Sequence, residues 1–64
     1  MKVFVNDKKV VIFHGAKVVD VVRAYYVKYD KKLPSSMPVV RDAYGNSIAL
    51  DGELKDENRL YIPS

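Results

Sequence analysis

The apolar residues of this chain follow a helical spacing in one segment, residues 18–29, and a strand spacing on either side of it. In that segment the apolar side chains at positions 18, 21, 22, 25 and 29 share one helix face, whereas strict alternation fails at 18–19 and 21–22. Valine prefers strands to helices, but the spacing outweighs this preference. The pattern therefore predicts one helix over residues 18–29.

The predicted helix has a well-defined buried face and a weakly specified start. Its buried stripe is expected to consist of Val18, Val21, Val22, Tyr25 and Tyr29, with Val19 and Tyr26 at the flanks. Ala16 and Lys17 offer no side-chain N-cap, so local chemistry does little to define where the helix begins. Asp20, in the first turn, is expected to compensate in part through the helix dipole.

Two β-rich runs, residues 2–5 and 10–14, precede the helix and are separated by the sequence Asn-Asp-Lys-Lys. Because Asn and Asp tolerate turn geometry, this arrangement predicts a β-hairpin. Alternation divides the hairpin into two faces. The face toward the helix is expected to carry Val3, Val5, Val10 and Ile12, and the opposite face Lys2, Phe4, Val11 and Phe13.

Three short strands are predicted after the helix, beyond a connector with two prolines at residues 33–38. We expect these strands at residues 39–41, 47–50 and 59–62, with turns at 42–46 and 51–52 and one tight turn at 53–56. In the last strand, Leu60 and Ile62 should face the core, while Arg59 and Tyr61 should face outward.

The order strand, strand, helix, strand, strand, strand predicts an α+β protein with the β-grasp (ubiquitin-like) fold. The first and last strands are then expected to lie parallel at the centre of a mixed sheet, with one helix packed on one face and the other face open to water. A chain of 64 residues is near the lower size limit for an independent core, so we expect one domain over residues 1–64.

Composition narrows the classes of function. The chain has no cysteine and therefore no disulfide framework or cysteine-based zinc site. Its 11 basic and 8 acidic residues give a net charge of +3 and are interleaved, which is typical of a solvated surface. No apolar run reaches membrane-spanning length and the first residues do not form a secretory signal, so we expect a cytoplasmic protein without membrane association.

Residues suited to catalysis or metal binding are few and scattered. His14 is the single histidine, and no second histidine or cysteine accompanies it, so a structural or surface role is expected. Asp51, Glu53, Asp56 and Glu57 crowd one region, but their spacing does not match an EF-hand loop and favours a solvated turn. We predict a protein that is not an enzyme, with no catalytic, cofactor or metal site.

Two ubiquitin-like groups resemble the chain over nearly its whole length. In the first half the matching positions are Val3, Val5, Asn6, Ile12, Gly15 and the run at 18–22, and in the second half they span residues 48–62. One group is the sulfur-carrier family, which includes the thiamine-biosynthesis carrier and the small subunit of molybdopterin synthase. The other is the TGS domain of threonyl-tRNA synthetases, certain GTPases and stringent-response enzymes.

The chain departs from the sulfur carriers in two places. Those proteins end in a flexible Gly-Gly tail whose carboxylate is activated and converted to a thiocarboxylate, whereas this sequence ends Tyr-Ile-Pro-Ser with a locked proline. If these 64 residues are the whole protein, carrier chemistry is not expected. The family's Asp-Gly-Asp turn is replaced by Asp56-Glu57-Asn58, in which Asn58 is expected to take the left-handed conformation.

The open sheet face offers the most specific functional hypothesis. The predicted alternation brings Phe4, Val11, Phe13 and Tyr61 together there, with Arg59 at the rim, and ubiquitin-like folds commonly bind partners through this face. We expect a non-catalytic interaction module that binds a protein partner or a second copy of itself. Good strand formers pairing across the sheet are the simpler explanation for these residues.

Two alternatives follow from the family resemblance. A TGS-like module would associate with RNA or the ribosome through basic residues, for which the candidates are Lys8, Lys9, Arg23, Lys28, Lys31 and Lys32. The other alternative is a sulfur-carrier protein whose C-terminal Gly-Gly is not included in these 64 residues.

Overall fold

Six elements follow one another in the order β-β-α-β-β-β in the computed structural model, which describes residues 1–63. Their bounds are β1 Lys2–Val5, β2 Lys8–Val11, α1 Val18–Lys28, β3 Val40–Arg41, β4 Ser47–Ile48 and β5 Arg59–Leu60. Ser64, the last residue of the ending that distinguishes the chain from sulfur carriers, lies outside the described residues. The protein is an α+β protein with a single helix in its described part.

The strands form two sheets. A three-stranded mixed sheet has the order β2-β1-β5, with β1 antiparallel to β2 and parallel to β5. Strands β3 and β4 form a separate antiparallel pair. The predicted parallel pairing of the first and last strands in a mixed sheet is confirmed, and the separate second sheet was not predicted. Strands β3, β4 and β5 have two residues each, and within residues 1–63 the bridge pair Arg41–Tyr61 joins the two sheets.

The first hairpin turns over two residues. Asn6 and Asp7 have φ angles of 50° and 67°, the left-handed values that a type I′ hairpin turn requires. The predicted hairpin is confirmed, but β2 begins at Lys8 and ends at Val11, not at positions 10 and 14. Lysine has weak strand propensity, and the turn geometry outweighs it here.

The helix starts where distant backbone groups satisfy its first amides. The N–H groups of Val18 and Val19 donate to the carbonyl oxygens of Gly52 (3.1 Å) and Leu50 (2.9 Å). Asp20 Oδ2 accepts a hydrogen bond from the Lys17 N–H at 2.9 Å, which adds a direct contact to the predicted dipole interaction. The 49–53 segment therefore supplies the cap that local sequence lacks.

The helix ends in a Schellman motif centred on Asp30. The Lys31 N–H donates to the Tyr26 carbonyl at 2.8 Å, and the Asp30 N–H donates to the Val27 carbonyl at 3.3 Å. Asp30 has a φ of 54°, a left-handed conformation more commonly taken by glycine. The helix therefore stops at Lys28, with Tyr29 as its C-cap.

Valines make up most of the core. Seven fully buried side chains are Val3, Val5, Val10, Val18, Val21, Val22 and Val40. Burial of each such side chain stabilises the fold by about 1.5 kcal/mol or more. Tyr26, expected at the flank of the helix, is buried, whereas the C-cap residue Tyr29 is only partly buried, and its hydroxyl donates to the Lys9 carbonyl at 2.7 Å.

The second half keeps the predicted facing but shifts some boundaries. Leu60 and Ile62 are buried as expected. The tight turn expected at 53–56 lies instead at 55–58, where the Asn58 N–H donates to the Lys55 carbonyl. Glu57, not Asn58, takes the left-handed conformation, with a φ of 66°. Asn58 uses its side-chain oxygen to accept from the Lys55 N–H at 2.7 Å.

Candidate functional site

The register of the mixed sheet defines the face turned away from the helix. Phe4 of β1 is paired with Lys9 on one side and with Arg59 on the other. Cross-strand partners project to the same face, so Phe4 shares this face with two cations. Two further pairs extend it, because Lys2 lies opposite Val11 and Arg41 lies opposite Tyr61. We call this surface, formed by Lys2, Phe4, Lys9, Val11, Arg41, Arg59 and Tyr61, the open face.

Cations surround the ring of Phe4. The Arg59 guanidinium carbon lies 4.5 Å from the ring centroid, and Lys2 Nζ lies 5.8 Å from it. Both distances fall within the range of cation–π attraction. Phe4 is half-buried, and its ring already contacts two cations of the same chain.

Asp7 links Arg59 to Tyr61. Its Oδ1 accepts from Arg59 Nη1 at 3.4 Å and from the Tyr61 hydroxyl at 3.3 Å. These contacts are long and solvent-exposed, so they orient the two side chains and contribute little stability. Phe4, Arg59 and Tyr61 are thereby brought together as one group.

Val11 and Phe13 form the exposed part of the predicted patch. Their side chains are 66% and 62% exposed. Val11 pairs directly with Lys2, and Phe4 pairs with Lys9, so Val11 and Phe4 are diagonal neighbours across the hairpin and not direct partners. Phe4, Val11 and Tyr61 therefore each have a cationic cross-strand partner, and apolar and cationic side chains alternate across the strands.

Sequence reasoning missed two of the cations on this face. Lys9 was expected in the turn, and Arg41 was assigned no role. A hairpin turn restricted to Asn6 and Asp7 would have placed Lys9 in the same alternating row as Val11 and Phe13. The Asn-Asp pair was the available signal for that shorter turn.

A second group of cations lies at the helix C-terminus. The Nζ atoms of Lys8 and Lys28 lie 5.0 Å and 5.7 Å from the Tyr29 ring centroid, and Lys31 Nζ lies 5.7 Å from that of Tyr25. Within residues 1–63 none of these lysines pairs with a carboxylate; the salt bridges there join Lys2 to Glu57, Lys17 to Glu53 and Arg59 to Asp7. The structure thus brings three of the candidate RNA-binding lysines close to a tyrosine pair.

The acidic residues near the second turn have structural partners. Asp56 Oδ1 accepts from the Lys2 backbone N–H at 2.7 Å, and this hydrogen bond is the main cause of its lowered pKa. Glu57 and Glu53 lie 3.5 Å and 3.6 Å from the ammonium groups of Lys2 and Lys17. In the described part of the chain, no cluster of three or more acidic, histidine or cysteine side chains is arranged to hold a metal ion.

Asp42 organises the turn between β3 and β4. Its Oδ1 accepts from the backbone N–H groups of Asn46 at 3.0 Å and Tyr44 at 2.9 Å. The hydrogen bond from Asn46 is the main cause of the lowered pKa of this carboxyl group. The turn presents Tyr44, which is 89% exposed, but no titratable group with a catalytic arrangement.

A groove of about 690 Å³ lies at the helix C-terminal end, away from the open face. Three segments line it: the last turns of α1, the connector, and the residues that follow β5. Sequence analysis did not predict it, because its walls come from parts of the chain distant in sequence. Its size is within the range of small-molecule sites.

Comparison with known proteins found no matching family model, curated protein or solved structure. No helix within residues 1–63 is long and apolar enough to span a membrane.

Proposed function

We propose that this protein is a non-catalytic β-grasp interaction module that binds an acidic protein partner through the open face. The β-grasp assignment is supported by the helix between two hairpins, the parallel β1–β5 pair and the bridge from Arg41 to Tyr61. The observation that carries the functional proposal is the alternation of cations with apolar side chains on the open face.

The charge of the open face specifies the chemistry of the partner. Its strands carry Lys2, Lys9, Arg41 and Arg59 and no carboxylate; Asp7 and Glu57 lie in the adjoining turns. A segment with acidic residues beside apolar ones would neutralise these cations while covering Val11 and Phe13. Such complementarity increases specificity and association rate more than it increases affinity.

The same charge distribution argues against a dimer formed face to face. A two-fold interface places the same surface on both sides. Four cations of one copy would then oppose four of the other, and the nearby carboxylates, Glu57 and Asp7, already pair with Lys2 and Arg59 of their own copy. We therefore propose a different, acidic chain as the occupant, and self-association is one outcome that would overturn the proposal.

Selection from a displayed library of random peptides tests the partner chemistry directly. We expect the wild-type chain to enrich peptides with Asp or Glu next to large apolar residues, and their binding to weaken as salt increases. The double variant Val11→Ser with Phe13→Ser should lose this enrichment, since both side chains are exposed and their removal leaves the core intact.

Matched variants on the helix control for general effects of charge and polarity. Lys9→Glu should weaken peptide binding, whereas Arg23→Glu, the same charge change on the exposed helix surface, should not. Val27→Ser, at a side chain that is 77% exposed, is the control for the apolar change. Peptides without acidic enrichment, equal losses in both sets, or a dimer in sedimentation would overturn the proposal.

The lysines around Tyr25 and Tyr29 favour RNA association as a second candidate function. Lys8, Lys28 and Lys31 lie near two rings without carboxylate partners in the described residues. Phosphate contacts of this kind give an affinity that falls steeply with salt. Titration with tRNA should then show a salt-dependent signal that Lys8→Gln with Lys28→Gln reduces, and an absent or salt-insensitive signal would exclude this candidate.

A further inference from the structure

The groove at the helix C-terminus is built on the edge of the core. Tyr25 and Tyr26, 2% and 9% exposed, form part of its lining together with Ile62, and all three belong to the core cluster. Met37 and Val39 of the connector contribute further apolar surface. The lining is therefore mainly apolar, with rings that the core holds in place.

The two tyrosines that line this groove carry hydroxyl groups. Within residues 1–63 neither hydroxyl makes a hydrogen bond, in contrast to those of Tyr29 and Tyr61. The described residues contain no buried side-chain oxygen or nitrogen atom that lacks a hydrogen-bond partner, so these two hydroxyl oxygens are not fully buried. Both hydroxyls are therefore accessible to solvent or to a ligand, next to rings that are otherwise buried.

All charged side chains that line the groove are cations. Lys31 and Lys32 are exposed, and no aspartate or glutamate lines the groove. Neither lysine forms an ion pair with another group in the described part of the chain. The groove therefore combines an apolar wall that includes two tyrosines with unneutralised positive charge.

We propose that this groove binds a small amphipathic carboxylate, with its alkyl or aryl part against Tyr26 and Met37 and its carboxylate at Lys31 and Lys32. An apolar ligand alone would satisfy the wall but would leave the two cations without a counter-charge. An amphipathic cation would place like charges together. An amphipathic carboxylate is complementary to the apolar wall and to the two lysines. A mainly apolar lining with a few polar or charged groups is the usual composition of a small-molecule site.

This site is independent of the open face, although it shares Tyr25 and Lys31 with the surface of the second candidate function. None of Phe4, Val11, Phe13, Arg59 and Tyr61 lines the groove. Binding to the groove can therefore fail while the open face still selects acidic peptides, and the reverse also holds.

Three probes with the same alkyl chain separate the apolar and charge contributions without any mutation. We would titrate the full chain with octanoate, 1-octanol and octylammonium, following amide and methyl signals by NMR. Octanoate should give saturable shifts concentrated at Tyr26, Met37, Val39 and Ile62. Its dissociation constant should be about five-fold lower than that of either other probe, as expected from two exposed charge pairs.

Removal of the two charges then tests the assigned residues. Lys31→Gln with Lys32→Gln should weaken octanoate binding about five-fold, to the level of octanol, and should leave octanol binding unchanged. Lys8→Gln with Lys9→Gln, at two exposed lysines outside the groove, is the matched control and should not alter octanoate binding. Non-saturable or dispersed shifts, equal affinity for the three probes, or the same loss in both double variants would overturn the proposal.

Discussion

The guanidinium carbon of Arg59 lies 4.5 Å from the ring centroid of Phe4, directly across the parallel pairing that joins the last strand to the first. The two residues lie near opposite ends of the sequence. This contact connects the closing step of the sheet with the surface proposed to bind a partner. The arginine also covers part of the aromatic ring, so Phe4 does not present a fully exposed apolar surface.

The coupling between Arg59 and Phe4 is measurable. We expect a double-mutant cycle with Arg59→Met and Phe4→Leu to give an interaction energy of about 0.5–1 kcal/mol, the range for an exposed cation–π pair. Urea unfolding of the four proteins provides the measurement. A cycle that pairs Phe4→Leu with Arg23→Met, on the other side of the molecule, should be additive; equal coupling in both cycles would contradict the contact.

Asp20 is expected to stabilise the helix start through its hydrogen bond to the Lys17 N–H. Asp20→Ala should lower the free energy of unfolding by about 1 kcal/mol, because the amide loses its acceptor and the first turn loses its negative charge. Asp20→Asn should cost less, since an amide oxygen can still accept. Chemical denaturation of both variants checks the order, and equal losses would indicate that the hydrogen bond contributes nothing beyond charge.

Asp30 is expected to be unfavourable at the opposite end of the helix. It has a positive φ, and its carboxylate lies beside the negative end of the dipole. Asp30→Gly should therefore raise the free energy of unfolding by about 0.5–1 kcal/mol. Asp30→Ala separates the causes, because it removes the charge but keeps a Cβ in the left-handed region. If alanine stabilises as much as glycine, backbone strain at this position is not the reason.

Asp56 is expected to contribute to acid sensitivity. The Lys2 N–H lowers its pKa below the ordinary value of 3.8, so the group favours the folded state above that pH. This contribution should disappear as the pH falls from about 3.8 through the folded-state pKa. Unfolding curves of the wild type and Asp56→Asn should differ at neutral pH and converge in strong acid.

Asp42 serves as the comparison for this pH dependence, since its pKa is also lowered, chiefly by the Asn46 N–H. Its hydrogen bonds remain inside one turn, whereas that of Asp56 ties the start of β1 to a turn near the end of the chain. Because the pKa of Asp42 is lowered like that of Asp56, Asp42→Asn should show the same direction of pH dependence. A difference between wild type and Asp56→Asn that persists below the folded-state pKa would contradict the assignment.

The sequence predicted those features that depend on the residues of a single helix or strand. The spacing of Val18, Val21, Val22 and Tyr25 identified the helix and most of its buried face. Alternation identified the buried residues of the first and last predicted strands, which are Val3, Val5, Leu60 and Ile62. It was less informative about boundaries, because the length of the hairpin turn depends on two positive φ angles at Asn6 and Asp7.

The tertiary structure decided what occurs where distant segments meet. The carbonyls of Leu50 and Gly52 cap the helix, Lys2 lies opposite Val11 in the sheet, and three separate segments enclose the groove at Tyr26. Periodicity within an element specifies which side of that element is buried. It does not specify which backbone lies opposite, and for that reason the cap, the alternating charges of the open face and the groove appear only in the folded chain.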